Sequence, residues 1–134
     1  MDLQTKAIHL GYEKDSQRTM AVPIYQTTAY EFNSIEHAAN LFSLKELGNI
    51  YTRLNNPTTD VFEKRFAEVE GGAASIATAS GMSAIFYAII NAAEAGDNII
   101  CANQLYGGTL TQTTYTLKRL ASRLDFSMFT SLKI

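Results

Sequence analysis

The sequence predicts an α/β fold in which a parallel sheet is connected by helices and preceded by an irregular arm. From residue 73 to residue 120, apolar runs typical of buried strands alternate with helix-like segments, in the order strand, helix, strand, helix. This order is the signature of parallel strands joined by helical crossovers. Two further helix patterns precede it, and residues 1–33 show no sustained helical period.

The two helices before the alternating region are predicted from their ends. The first follows Ser34, a favourable N-cap residue, and should stop at Gly48. The second starts at Asn56, with Pro57 in its first turn, and should end at the glycine pair that begins with Gly71.

The alternating region is predicted to contain strands at residues 73–78 and 98–102 and helices at residues 80–93 and 109–120. A parallel sheet is buried on both faces and needs several strands, and only two are present. We therefore expect this chain to be the front portion of a larger α/β protein. An arm of about thirty residues without a clear element is uncommon in a compact domain. Since this arm is rich in Tyr, Ile and Val, we expect it to pack on a partner.

Composition and charge exclude several functional classes. The net charge of −2 offers no electrostatic basis for binding nucleic acid or an anionic membrane. The single Cys101 excludes an intrachain disulfide and a cysteine zinc site, and we expect no metal. Residues 1–15 lack a signal-peptide pattern, and the apolar run at 84–93 is too short to span a bilayer. We expect a soluble, cytoplasmic protein.

A phosphate site is predicted where Ser80, Gly81 and Met82 open a helix after an apolar run. The first backbone N–H groups of a helix have no helical acceptor and carry partial positive charge, so they hold anions well. Gly81 lacks a Cβ, which lets the backbone approach the anion. An ordinary strand-to-helix junction capped by Ser80 explains the same residues equally well.

Two other segments carry candidate binding residues. Tyr51 and Arg53 are two positions apart, which points both side chains the same way in an extended segment, and a guanidinium pairs well with phosphate. Tyr106 follows the second predicted strand, where ligands of open α/β sheets lie, and its ring could stack on a flat ligand. Taken singly, Tyr51 and Arg53 could be a half-buried tyrosine beside a surface arginine. Tyr106 could be an ordinary turn tyrosine before a helix.

Together these segments resemble one family. The motif Tyr-Thr-Arg-x-x-Asn-Pro-Thr at residues 51–58, with Ser-Gly-Met at 80–82 and Tyr-Gly-Gly-Thr at 106–109, is similar to the cysteine and methionine metabolism enzymes of the cystathionine γ-synthase type. These enzymes use pyridoxal 5′-phosphate (PLP) and have the fold type I large domain. Within the family the chain most resembles the O-acetylhomoserine sulfhydrylases. Gly108 stands where methionine γ-lyases typically carry a cysteine, which argues against the lyase.

The resemblance implies roles for the candidate residues. Gly81 and Met82 would donate backbone N–H groups to the cofactor phosphate, beside Ser80. Tyr51 and Arg53 would reach the phosphate bound by a neighbouring subunit. Tyr106 would stack on the pyridine ring and, as a catalytic residue, help to move protons.

The activity implied by the resemblance is exchange of the acetate of O-acetyl-L-homoserine for sulfide, giving homocysteine for methionine biosynthesis. The implied assembly is a homo-oligomer, a homotetramer in this family, with active sites shared across a dimer and no nucleic-acid or membrane partner. The alternatives are a cystathionine γ-synthase or γ-lyase with the same cofactor, and a non-catalytic remnant.

The resemblance also divides the chain into three parts. Residues 1–58 would be the arm and helix that contact the neighbouring subunit, and residues 59–120 the start of the PLP-binding domain. Residues 121–134 depart from the family pattern, and we hypothesise a single-nucleotide deletion near the codon of Leu120. The family's Schiff-base lysine would lie beyond this chain, so we expect no turnover from the chain alone.

Overall fold

The computed structural model describes residues 1–94, 97, 99–102 and 104–120. The chain divides into two compact units, Met1–Ala77 and Thr78–Ile134. The first unit contains three helices among its residues, and the second contains a long helix followed by a continuous helical segment with a π-helical turn in its middle. The helices are α1 (Leu3–His9), α2 (Ile35–Phe42), α3 (Pro57–Glu70), α4 (Gly81–Ala92), α5 (Gly107–Thr111), the π-helical turn Gln112–Thr116, and α6 (Leu117–Leu120).

The two helices predicted from their caps in the first unit are confirmed. The Ser34 hydroxyl accepts the backbone N–H of His37 at 3.0 Å and starts α2. This helix ends at Phe42, earlier than the predicted stop at Gly48. The Asn56 side chain caps α3, and Gly71 ends that helix in the left-handed conformation with φ of 70°, which glycine adopts without steric cost.

Both predicted helices of the second unit are also confirmed. Ser80 caps α4, as expected, and this helix runs to Ala92. The last helical segment begins at Gly107, slightly before the predicted start at Thr109, and its described part continues to Leu120. A π-helical turn of this kind often occurs at functional positions.

The prediction that residues 1–33 are irregular is wrong for Leu3–His9, which form α1. The Asp2 carboxylate accepts the backbone N–H of Thr5 at 2.7 Å and caps this short helix. α1 packs on α3, and Lys6 forms an ion pair with Glu68 at 3.4 Å. Because a seven-residue helix depends on such packing more than on its own propensity, its sequence carries little helical signal.

The two predicted strands are not formed in the part of the chain that the structure describes. Residues 73–78 belong to no ladder, and the Ala77 N–H and Ser75 hydroxyl donate instead to the side chain and backbone oxygens of Glu63, both at 2.7 Å. Residues 99–102 form no ladder either, and Asn98 lies outside the described residues. A strand forms only when a neighbouring strand can accept and donate its backbone hydrogen bonds. In residues 73–78, Glu63 accepts the Ala77 N–H instead.

The described residues bury few apolar side chains. The buried hydrophobic residues are Leu41, Val61 and Ala67 in the first unit and Leu117 in the second. α4 is apolar on most of its surface, yet none of its residues is buried. Among the described residues, no helix combines the length and apolar character needed to cross a membrane.

Candidate functional site

The first candidate segment is the turn that opens α4. Ser80 is extended, with φ of −156° and ψ of 155°, and its hydroxyl oxygen accepts the N–H of Ser83 at 3.2 Å. Its backbone carbonyl accepts the N–H of Ala84 at 3.1 Å. The cap and the first helical bond therefore satisfy Ser83 and Ala84, and leave the N–H groups of Gly81 and Met82 without a helical acceptor.

The space beside Gly81 is open. A Cβ placed on this glycine would meet no atom of another residue within 4 Å among those that the structure describes. The two free N–H groups of Gly81 and Met82 lie at the positive end of α4, which is 12 residues long. The turn therefore has the donors, the electrostatic sign and the room that a phosphate group requires.

The second candidate segment brings Tyr106 and Met82 together around Gly108. A Cβ on Gly108 would lie 2.8 Å from Tyr106 Cε1 and 2.9 Å from Met82 Sδ. The absence of a side chain at residue 108 thus lets both the tyrosine ring and the methionine thioether lie against the backbone of Gly108. Gln112 extends this contact, because its Nε2 donates to the Met82 carbonyl at 3.5 Å.

Tyr106 presents its ring to the surface. It directly precedes α5, it makes no side-chain capping bond, and 76% of it is exposed. An exposed ring beside the free N–H groups at the start of α4 could stack on a planar ligand whose anionic group those N–H groups hold. The structure therefore places two of the three predicted segments, the Ser80–Met82 turn and Tyr106, at one place in the second unit.

The third candidate segment, which contains Tyr51 and Arg53, lies in the first unit. Residues 52–54 form a turn rather than the predicted extended segment, because the N–H groups of Leu54 and Asn55 donate to the Tyr51 carbonyl at 2.8 and 3.0 Å. The two side chains are nevertheless close, since the Arg53 Cζ atom is 5.5 Å from the centroid of the Tyr51 ring. Both are exposed, and Arg53 forms no ion pair with any carboxylate among the described residues. An unpaired guanidinium held against an aromatic face remains available to bind an anion.

Sequence reasoning missed the residues that hold this segment in place. The Asn55 Oδ1 accepts the N–H of Ile50 at 3.1 Å, and its Nδ2 donates to the carbonyl of Gly48 at 2.6 Å. Asn56, predicted only as a helix cap, also donates to the carbonyl of Tyr25 at 2.8 Å. The only sequence signal for these contacts is the pair of asparagines itself, because their partners are remote or on the backbone.

A metal site among the described residues would need a cluster of acidic, histidine or cysteine side chains. No group of three His, Cys, Asp or Glu side chains there could hold a metal ion. The pKa of Lys64 is raised, because Asp60 accepts its hydrogen bond at 2.7 Å on the surface of α3. This pair is an exposed helix-surface contact and has no relation to the three candidate segments.

Comparison with known proteins decides the family. The sequence model of the family described as "Cys/Met metabolism PLP-dependent enzyme" matches residues 4–133. The chain belongs to this family. The matched range includes most of residues 121–134, which lie outside the described residues and for which a frameshift stays a prediction.

Relatives in this PLP-dependent family support the same assignment. The chain is 54% identical over 128 residues to O-acetyl-L-homoserine sulfhydrylase 1 of Thermus thermophilus, covering 95% of this chain and 30% of the relative. It is 53% identical to O-acetyl-L-homoserine sulfhydrylase of Leptospira meyeri, covering 92% and 28%. The chain thus spans less than a third of the length of these relatives.

A solved structure of the PLP-dependent family has the same fold over nearly the whole chain. A Campylobacter jejuni protein assigned as O-acetylhomoserine (thiol)-lyase superposes with a TM-score of 0.89 and 50% identity, covering 97% of this chain and 32% of that one. Its structure contains a pyridoxyl-lysine phosphate. The family identifies PLP as the cofactor, and the free N–H groups of Gly81 and Met82 beside the exposed Tyr106 ring fit a planar ligand with a phosphate.

Proposed function

We propose that the whole protein is an O-acetylhomoserine sulfhydrylase, which replaces the acetate of O-acetyl-L-homoserine with sulfide and releases homocysteine. The supporting observation is the identity of 53–54% to two sulfhydrylases. A cystathionine γ-lyase of Lactobacillus plantarum, by contrast, is 30% identical with a TM-score of 0.78. Gly108 argues separately against a methionine γ-lyase, in which a cysteine typically stands at this position, because a side chain here would have to displace Tyr106 or Met82.

The cofactor phosphate would be held at the start of α4. The N–H groups of Gly81 and Met82 would donate to its oxygens, and the open space beside Gly81 would admit them. The Ser80 hydroxyl accepts the Ser83 N–H and shares a hydrogen bond with the Ser83 hydroxyl at 3.0 Å. With Ser83 as the donor of that bond, the Ser80 proton would be available to a phosphate oxygen. When bound, PLP supplies an electron sink that stabilises negative charge on the substrate carbon skeleton.

The ring of the cofactor would stack on Tyr106. The Tyr106 ring and the Met82 thioether both lie against Gly108, which places the ring on the same side of the unit as the start of α4. The phenol at the exposed end of the ring could accept or release a proton next to the substrate, which makes Tyr106 the candidate catalytic residue of this chain.

The guanidinium of Arg53 and the phenol of Tyr51 would complete the phosphate site of a neighbouring subunit. This role explains two exposed side chains that contact each other and an arginine that pairs with none of the described carboxylates. It also predicts a homo-oligomer in which residues 1–58 contact the partner and the domain that begins at residue 59 holds the cofactor.

The remaining proposals concern the setting of this site. We propose that residues 73–78 and 98–102 become strands of a parallel sheet in the complete large domain, where neighbouring strands can bond them. The exposed apolar surface of α4 would then be covered by that domain. We also propose a cytoplasmic location.

Two rival functions make different predictions. A cystathionine γ-synthase or γ-lyase would use the same cofactor site with cysteine or cystathionine in place of sulfide. A non-catalytic remnant would bind neither cofactor nor substrate, or would dock on a second chain without turnover.

The decisive assay uses the protein purified from its source under non-denaturing conditions, so that any chain completing the site is retained. After addition of PLP and O-acetyl-L-homoserine, we expect homocysteine to form with sulfide. Formation of cystathionine with cysteine instead would favour the first rival. Absence of both products, together with no absorbance band of lysine-bound cofactor, would overturn the proposal in favour of the remnant.

A further inference from the structure

Asn56 is a buried polar residue whose side-chain oxygen and nitrogen both form hydrogen bonds. It is 5% exposed. Its Oδ1 accepts the N–H of Thr58 at 2.9 Å, which caps α3. Its Nδ2 donates to the carbonyl of Tyr25 at 2.8 Å and to the hydroxyl of Thr52 at 3.2 Å. The cap therefore needs only the oxygen, and the amide nitrogen serves the arm and the Tyr51–Arg53 segment.

Thr58 tethers the same part of the arm. Its hydroxyl donates to the carbonyl of Pro23 at 2.9 Å and accepts the N–H of Tyr25 at 2.9 Å. The first turn of α3 thus holds the chain at Pro23 and Tyr25 by side-chain bonds that span more than thirty residues of sequence.

The tethered arm in turn holds the backbone on both sides of Tyr51. The N–H of Tyr30 donates to the carbonyl of Ile50 at 3.2 Å, and the N–H of Thr52 donates to the carbonyl of Thr28 at 2.9 Å. These bonds form an isolated antiparallel bridge between Ala29 and Tyr51. The Thr52 hydroxyl also donates to the carbonyl of Thr27. Arg53 follows this bridge directly.

We propose that Asn56, with Thr58, is a positioning residue for the phosphate contact of Tyr51 and Arg53. Its amide links the arm to the Tyr51–Arg53 segment, so that the guanidinium starts from a backbone that is already ordered. This inference rests on the proposed phosphate role of Arg53.

The physical reason is the cost of ordering a long side chain. An exposed arginine loses rotamer freedom when it binds an anion, and a mobile backbone would add to that loss. Here the backbone next to Arg53 is bonded on both sides, and the Tyr51 ring lies 5.5 Å from the guanidinium carbon. Removing the tether should weaken phosphate binding without removing any atom that contacts the phosphate.

The sharpest variant is Asn56→Asp, which keeps the oxygen that caps α3 and removes both N–H donors. In the cofactor-free chain we expect the N–H groups of Tyr30 and Thr52 to exchange with solvent about tenfold faster, while those in the middle of α3 are unchanged. In the purified protein we expect PLP to bind about tenfold more weakly, and pyridoxal, which lacks the phosphate, to bind as before.

A pair at Thr58 gives an independent test if Asn56→Asp does not fold. Thr58→Val removes the hydroxyl that bonds Pro23 and Tyr25, and should reproduce both effects. Thr58→Ser keeps that hydroxyl and should restore wild-type exchange and PLP affinity. Equal behaviour of the two variants would overturn the proposal.

Two controls separate positioning from general destabilisation and from failure of the proposed function. Ser34→Ala removes the cap of α2, which lies outside the tether, and should leave the PLP-to-pyridoxal affinity ratio unchanged. Arg53→Gln should lower that ratio with normal exchange at Tyr30 and Thr52. If Arg53→Gln leaves the affinity ratio unchanged, the proposed phosphate role of Arg53 is wrong. If Arg53→Gln lowers the ratio but Asn56→Asp changes neither exchange nor affinity, the positioning role of Asn56 is wrong.

Discussion

Among the residues that the structure describes, each unit buries one polar residue, and the hydrogen bonds shown for the two residues differ in their range along the chain. Asn56, in the first unit, bonds the carbonyl of Tyr25, 31 residues earlier in the chain. Thr113, in the second unit, is 2% exposed and donates to the carbonyls of Thr109 and Leu110 within its own helical segment. The Asn56 bond joins distant parts of the chain, whereas the bonds from Thr113 to Thr109 and Leu110 join residues four and three positions apart.

This difference extends to the candidate binding residues. Tyr51 and Arg53 lie on backbone that several long-range bonds fix, so the first unit organises its part of the site by itself. The second unit offers free N–H groups at Gly81 and Met82 and an exposed Tyr106, which local caps and a glycine arrange. We infer that the arginine contact depends on tertiary structure, whereas the phosphate turn depends on local sequence.

The largest expected effect comes from truncating the buried Asn56, compared with truncating the exposed cap of α4 in the second unit. Asn56→Ala removes a helix cap and the two hydrogen bonds that its amide donates to Tyr25 and Thr52, so it should lower the free energy of unfolding by about 3 kcal/mol. Ser80→Ala removes only a local cap and should cost about 1 kcal/mol. Urea denaturation followed by circular dichroism measures both, and equal losses would contradict the comparison.

A smaller effect is expected where α3 and α4 end. Gly71 has φ of 70°, so Gly71→Ala should cost about 1 kcal/mol although its Cβ would meet no atom within 4 Å. Ala93, after α4, is extended with φ of −139°, so Ala93→Gly should change stability by less than about 0.5 kcal/mol. Thermal unfolding of the two variants tests whether only the helix of the first unit depends on a left-handed stop.

An added methyl group should destabilise the second unit at Gly108 and have almost no effect at Gly81. Gly108→Ala must displace the Tyr106 ring or the Met82 thioether, which should cost about 1 kcal/mol and shift the NMR signals of both side chains. Gly81→Ala meets open space, so these signals should stay in place and stability should change by less than about 0.5 kcal/mol. Unchanged Tyr106 signals in Gly108→Ala would contradict the packing described here.

The smallest effect concerns pH. Hydrogen bonds from the side chain and the backbone N–H of Thr5 hold the pKa of Asp2 below its ordinary 3.8. The capping of α1 is therefore complete above pH 3.8 and is lost as the pH falls through the lowered pKa of the folded chain. α4 is capped by the uncharged Ser80 and gives the matched control. NMR shifts of both first turns during acid titration should change for α1 alone in this range.

Much of the helical structure followed from short sequence signals. Ser34, Asn56 and Ser80 each cap a helix as predicted, and Gly71 ends one, because a cap bond joins residues only two or three positions apart. α1 was missed, and the strand predicted at residues 73–78 is not formed among the described residues, so the sheet stays a prediction. In both cases the outcome depends on α3, through Lys6 with Glu68 and through Ala77 with Glu63.

The amino-acid sequence by itself determined the capped helices and the N–H groups of Gly81 and Met82 that lack a helical acceptor, because each of these depends on neighbours along the chain. The tertiary structure alone decided that Asn56 ties the arm to the Tyr51–Arg53 segment and that Tyr106 and Met82 both lie against Gly108. Such contacts join residues far apart in sequence, and no local propensity or spacing records them.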